Sequence, residues 1–310
     1  MSNSKFNKKA VILIAVMLLL AVSGGVFAAN KLVQKKVVES GVTNETEENT
    51  EENTMVQTED NKSNNSSNNA NNDATKSSNT EVEDSAYLEK YIGQQVKGEM
   101  PDGADGKKVV YLTFDDGPST TVTPKILDIL KEEGVHATFF VVGKNVEADK
   151  ELVKEEYEQG NTVGIHSYTH DYDYLFPGGR INPQNCMSDF QKTQDAIQGV
   201  LGSDYKVRAL RFPGGYYSWE KNDYANAQEV NKEMHANDWH QIDWNALSGD
   251  AEGGSKNAEQ LYEEAVKTIG NREKAVILMH DTYGKEATAE ALPDIIKYLK
   301  SHGYEFKTIQ

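Results

Sequence analysis

Two adjacent carboxylates, Asp115 and Asp116, end the apolar run Val109 to Phe114 and are followed at once by Gly117-Pro118-Ser119. Side by side they repel each other, and Asp is a poor strand residue. Such a pair is tolerable where a cation neutralises it or where one carboxylate works as a base. Gly117 admits unusual backbone angles and Pro118 fixes the next one, so both side chains can be turned towards one spot. Taken alone, the stretch also reads as an acidic turn capping a helix. Further along, His166 and His170 stand four residues apart in His-Ser-Tyr-Thr-His. That spacing lets two imidazoles bind one metal ion from one side. An Asp-His-His set leaves a coordination position open to water or substrate, as a catalytic site needs. Arg211 precedes Phe-Pro-Gly-Gly. Its guanidinium can orient a carboxylate and keep it ionised, and the amides of Gly214 and Gly215 can approach a substrate oxygen closely. His280 ends the apolar run Ala275 to Met279. A neighbouring carboxylate such as Asp250 would raise its pKa and make it a proton donor.

These groups need a scaffold that brings distant segments together. From Lys107 onward, strand-like and helix-like segments alternate. The strand candidates are Val109–Phe114, Ala137–Val142, Thr162–Ile165, Val207–Phe212, Trp239–Trp244, Ala275–Met279 and Tyr304–Ile309. Helix candidates lie between them near Pro124–Glu133, Val146–Gln159, Pro183–Val200, Asn222–Ala236, Ala258–Ile269 and Ala287–Ser301. Such alternation implies an α/β fold with a parallel sheet, and periodicity leaves both an open sheet and a closed barrel in play. Asp115 and Asp116 end the first strand, His166 the third, Arg211 the fourth and His280 the sixth, and Asp250 follows the fifth. In such folds the carboxyl ends of the strands share one face, where active sites form.

The chain divides into three parts. Residues 1–29 carry Lys5, Lys8 and Lys9 ahead of an apolar run from Ala10 to Val22 and a Val-Phe-Ala site. This reads as a signal peptide or a retained membrane anchor, so the protein is expected to be exported, either held at the cell surface or secreted into the wall. Residues 30–85 read as a disordered linker rich in Asn, Ser and Glu. Its segment from Glu39 to Ser85 has 12 acids against Lys62 and Lys76, giving −10 of the formal −17. Residues 86–310 are the expected catalytic domain, which is only mildly acidic and offers nothing to nucleic acid. Cys186 is the sole cysteine, so no intrachain disulfide is available and the domain depends on its apolar core.

From Lys107 to Gln310 the chain resembles the polysaccharide deacetylase family, also called carbohydrate esterase 4 or the NodB-homology domain. The likeness rests on Thr113-Phe-Asp-Asp-Gly-Pro-Ser119, His166-Ser-x-x-His170, Arg211-x-Pro213 and Leu278-x-His280 in that order, with Ala137-Thr-Phe-Phe-Val141 as a second strand. The resemblance implies a distorted (β/α) barrel of about seven parallel strands. It assigns Asp115 as general base, Asp116, His166 and His170 as metal ligands, Arg211 as the residue orienting the base, Gly214 as an oxyanion-binding amide and His280 as general acid. Asp250 matches the acid that partners His280. Leu247 and Ala251 depart from the family's Asp-x-x-Asp-Trp pattern around it.

The implied activity is metal-dependent removal of N-acetyl groups from N-acetylglucosamine in an extracellular polysaccharide, with peptidoglycan the leading substrate. The metal is expected to be Zn2+, with Co2+, Mn2+ or Ni2+ as alternatives. A chitin-like, exopolysaccharide or xylan substrate is the competing enzymatic reading, and a non-catalytic glycan-binding module the competing reading from another class. Tyr216, with Tyr217 and Trp219, is a candidate for stacking on sugar rings. An uncleaved N-terminal segment would make the membrane a second partner.

Overall fold

A computed structural model describes residues 81–310. The expected signal or anchor segment, and the expected linker up to residue 80, lie outside the described residues. In chain order the elements are β1 (Val82–Glu83), α1 (Ser85–Val96), β2 (Val109–Asp115), α2 (Thr123–Glu133), β3 (Thr138–Val141), α3 (Gly143–Ala148), α4 (Lys150–Glu158), β4 (Thr162–Ile165), α5 (Tyr172–Leu175), a 3-10 turn (Pro177–Gly179), α6 (Pro183–Leu201), β5 (Ala209–Leu210), α7 (Tyr216–Asn222), α8 (Tyr224–Ala236), β6 (His240–Gln241), β7 (Ala246–Leu247), α9 (Ala258–Ile269), β8 (Lys274–His280), α10 (Glu286–Ser301), β9 (Glu305–Phe306) and β10 (Thr308–Ile309).

Seven strands form a curled parallel sheet in the order β6-β5-β4-β3-β2-β8-β7, with β9 pairing beside the start of β2. The expected parallel sheet is therefore present as a curled half-barrel. Its seventh strand differs from expectation. The Tyr304–Ile309 run splits into β9 and β10, and β10 pairs with β1 in a separate two-stranded sheet. The edge place is taken by β7, which is two residues long and too short to leave a periodic signal. The Val146–Gln159 helix is likewise two helices that meet at Asp149, whose backbone leaves the helical region.

Strand β2 shows how the sheet is filled. Side chains alternate across a strand. Val110, Leu112 and Phe114 face the helical layer, where Phe114 stacks on Phe139 and α2 and α10 supply Ile126, Leu130, Leu292 and Ile296. Val109 and Tyr111 face the inner side and meet Leu88, Tyr91 and Ile92 of α1. The next two residues on that inner side are Thr113 and Asp115, so the apolar plug gives way to polar groups at the carboxyl end. The chain before residue 86 also belongs to the folded unit. Thr308 donates to the Glu81 carbonyl, Gln310 to that of Glu83, and Asp84 caps α1 through the Tyr87 N–H. These contacts fall ahead of the expected domain start at Ala86, and two-residue pairing to the C-terminus leaves no local pattern in the sequence.

Candidate active site

Register builds the site's centre. Strands β2 and β8 pair over seven residues, from Val109↔Lys274 to Asp115↔His280, so the last residues of two buried strands sit side by side. Asp115 is buried, and its Oδ1 accepts from Arg211 Nη1 at 2.8 Å. The same Nη1 reaches Thr113 Oγ1 at 2.7 Å, while Arg211 Nε donates to the Ile242 carbonyl at 2.7 Å. The guanidinium lies over the Phe140 ring, 4.3 Å from its centroid. A fully buried arginine is stable only when paired, and Asp115 is the carboxylate that pairs with it.

Asp116 turns the other way. Its φ of 72° is in the left-handed region, rare for a residue with a Cβ, and Asn145 holds the turn by donating to the Asp116 carbonyl. At Gly117 a Cβ would lie 2.1 Å from an Asp281 carboxylate oxygen, so only glycine fits. Asp116 Oδ1 is buried and accepts no hydrogen bond, yet it lies 3.2 Å from His166 Nε2 and 3.1 Å from His170 Nε2. His166 Nδ1 is 2.8 Å from the Arg211 carbonyl, which can only accept, so Nδ1 carries a proton and Nε2 is the ring atom turned to Asp116. A buried carboxylate oxygen with no hydrogen bond and two imidazole nitrogens against it is a place where a cation fits. The three ligand atoms lie within 4.8 Å of one another, and an Asp-His-His donor set fits a divalent transition metal. Burial works to raise the Asp116 carboxyl, but the interactions with the His170, His166 and His280 imidazoles around it hold it below the usual carboxylate range. Burial pushes the His170 ring down, which favours a neutral ligand.

Asp250 completes the opposite wall. Its Oδ1 lies 2.8 Å from His280 Nδ1, and its Oδ2 accepts the His280 N–H and the Thr288 hydroxyl, each at 2.8 Å. Burial pulls the His280 pKa down, but the charge and hydrogen bond of Asp250, with Asp116 and Asp115 beyond, raise it to about 9. Leu247, where the family pattern has an acid, is buried in β7 and pairs with Leu278, so that departure leaves the Asp250–His280 contact intact.

Two expectations change. Tyr216 is 2% exposed, with its hydroxyl donating to the Ala227 carbonyl, and it presents no face to a sugar. Trp219 is buried and stacked on Phe176 at 3.9 Å, with Nε1 donating to the Pro213 carbonyl. Both are core residues because α7 folds them inward. The ring next to the metal-ready cluster belongs to Tyr172, half-buried and edge-on to His170 at 5.5 Å. Gly214, at φ 80°, has the Tyr172 hydroxyl 3.0 Å from where a Cβ would stand.

Sequence reasoning missed the supports. Asp189 of α6 is buried and its Oδ2 accepts from the Tyr168 and Thr169 N–H groups and the Thr169 hydroxyl. It thereby holds a loop in which Ser167 and His170 both have positive φ. Asp243 accepts the Tyr216 and Tyr217 N–H groups at the start of α7, and burial raises its pKa to about 6 against those two bonds. A lone acid in an amphipathic helix or after a short strand carries no signal of what it will hold.

A parallel sheet whose carboxyl edge joins an anion-and-imidazole cluster to an Arg-held carboxylate and an Asp-held imidazole defines a metal-ready hydrolytic centre. The polysaccharide deacetylase family model matches residues 102–241. A peptidoglycan-N-acetylglucosamine deacetylase of Bacillus cereus is 34% identical over 224 residues, which is 69% of this chain and 76% of that protein. One from Listeria monocytogenes is 33% identical over 226 residues, covering 73% of this chain but only 43% of that longer relative. The structure of a Streptococcus mutans CE4 esterase superposes with a TM-score of 0.66 at 32% identity, over 74% of this chain and 92% of that one. The chain belongs to the polysaccharide deacetylase family.

Proposed function

We propose that the protein is a metal-dependent deacetylase that removes N-acetyl groups from N-acetylglucosamine units of an extracellular polysaccharide, peptidoglycan first among them. The observation that carries the reading is a carboxylate and an imidazole side by side at the ends of β2 and β8, Asp115 paired with Arg211 and His280 paired with Asp250, whose charge and hydrogen bond raise the imidazole's pKa to about 9. A base and an acid placed in this way are what amide hydrolysis requires. The peptidoglycan assignment is supported by the relatives and by the leader-like segment followed by a spacer, which suit a polymer just beyond the membrane.

Asp116, His166 and His170 would hold the ion, with Zn2+ favoured by the donor set. When bound, it supplies a Lewis acid that polarises a carbonyl and lowers the pKa of water. Asp115 has Oδ1 committed to Arg211, so Oδ2 is the atom that takes the proton from the attacking water. As the oxygen–carbon bond forms at the acetyl carbon, the Gly214 N–H is the backbone donor assigned to the developing oxyanion. His280, with Nδ1 towards Asp250, gives its Nε2 proton to the sugar nitrogen as the carbon–nitrogen bond breaks. Acetate and a free amine leave.

Acetate release from peptidoglycan, chito-oligosaccharide and acetylxylan, with and without a chelator, tests the reading. The expectation is chelator-sensitive release, greatest from peptidoglycan. No release from any glycan would leave a binding module, and chelator-resistant release would remove the metal.

A further inference from the structure

A second cluster repeats the composition of the first on other elements. His240 opens β6, His235 lies in the last turn of α8, and Glu89 projects from α1. His240 Nδ1 lies 2.8 Å from Glu89 Oε2, and His235 Nε2 lies 2.9 and 3.0 Å from the two oxygens of the same carboxylate. The two rings are 5.2 Å apart and tilted by 36°. In the catalytic cluster the His166 and His170 rings are 5.1 Å apart and tilted by 41°. Both clusters thus present two imidazoles at nearly the same spacing and tilt, converging on one carboxylate. They are the two groups of that kind among the described residues whose ligand atoms all lie within 4.8 Å of one another.

The surroundings of His240 resemble those of a ligand. Its Nε2 lies 3.2 Å from Asp238 Oδ1, and Asp238 is itself held by Arg208 at 2.8 and 3.2 Å. A carboxylate on the far nitrogen of an imidazole fixes the proton there and leaves the other nitrogen as a donor of its lone pair. A neutral ring has one N–H, yet this ring faces carboxylates at both nitrogens. Either a second proton or a metal ion must therefore stand between Nδ1 and Glu89. Two imidazoles and one carboxylate suit Zn2+ or a neighbouring transition metal, whereas Mg2+ and Ca2+ prefer all-oxygen shells. The way in is open, since the His235 side chain is 43% exposed while those of Glu89 and His240 are nearly covered.

We propose that Glu89, His235 and His240 form a second divalent transition-metal site, separate from the catalytic one, that ties α1 to α8 and the start of β6. Its role is structural. It fastens the N-terminal helix, whose Leu88, Tyr91 and Ile92 plug the inner face of the sheet, to the rest of the domain.

The test is metal content per chain after the full-length protein is stripped and dialysed against buffered Zn2+. Wild type is expected to hold two ions and His235→Ala one. Glu89→Gln should also hold one, and Asp116→Asn should keep the ion that His235→Ala loses. His235 is exposed in a last helical turn, so with chelator present His235→Ala should melt at the wild-type temperature. With Zn2+ it should show a smaller rise than wild type, and its rate on glycan should be unchanged. Equal zinc in wild type and His235→Ala would overturn the proposal, as would a single wild-type ion that only Asp116→Asn loses. An ion retained in Asp116→Asn and lost in His235→Ala supports this site even if acetate release fails.

Discussion

At the residue scale the chemistry turns on contacts that fix proton positions. His280 must be protonated to donate, so activity should hold below its pKa of about 9 and fall as pH rises through it. Asp250 supplies both the charge and the hydrogen bond that lift that value against burial. Asp250→Asn keeps the shape and removes the charge, so the ring's pKa falls and the alkaline limb of the rate profile should move to lower pH. An opposite charge in contact is worth roughly 1–3 pH units. Rate against pH for both proteins, with metal content unchanged, checks this. An unmoved limb would make Asp250 a structural acid only. The residues with chemistry were legible in the sequence because carboxylates and imidazoles after apolar runs are costly unless used. Tyr216 and Trp219 were misread for the opposite reason, since an aromatic after a Gly-Gly turn looks the same whether it points into a cleft or into the core.

At the element scale the site depends on loops held by distant acids. The His166–His170 loop has Ser167 at φ 67° and His170 at φ 49°, and Asp189 of α6 gives three donors of that loop one acceptor. Asp189→Ala would leave them unpaired, at a cost of about 1–3 kcal/mol for a buried group. Support of this kind also sets metal affinity, so the variant should bind the ion about 10–100-fold more weakly while its far-ultraviolet spectrum is unchanged. Unaltered affinity would show that the imidazoles hold themselves in place. The long elements, β2, β8, α6, α9 and α10, were legible from periodicity and glycine stops. Among the short ones, β5 and β6 lie inside the expected strands Val207–Phe212 and Trp239–Trp244, whereas β7, two residues long, left no periodic signal. The tertiary supports, Asp189, Asp243 and Asn145, lie too far along the chain from what they hold for spacing to reveal them.

At the scale of the folded domain, the inner face of the sheet is closed at one end by α1, and the polar site residues stand at the other. Leu88, Tyr91 and Ile92 are almost wholly buried, and each contributes about 1.5–3 kcal/mol. Their sum is comparable to the net stability of a typical domain, about 5–15 kcal/mol. A chain beginning at Glu81 should therefore unfold as cooperatively as the full protein, and one beginning at Lys97 should not fold. Thermal unfolding decides it, and a folded, active chain from Lys97 would deny α1 its place in the core. The central claim is a division of labour between neighbours, with Asp116 holding the ion and Asp115 moving the proton. Metal content and turnover measured together on Asp115→Asn and Asp116→Asn test it most directly. Asp115→Asn should keep its metal and turn over at least ~100-fold more slowly, as befits a lost general base. Asp116→Asn should lose its catalytic metal, because a neutral amide is a far weaker ligand than a carboxylate. A metal-free Asp115→Asn beside a metal-loaded Asp116→Asn would contradict the account.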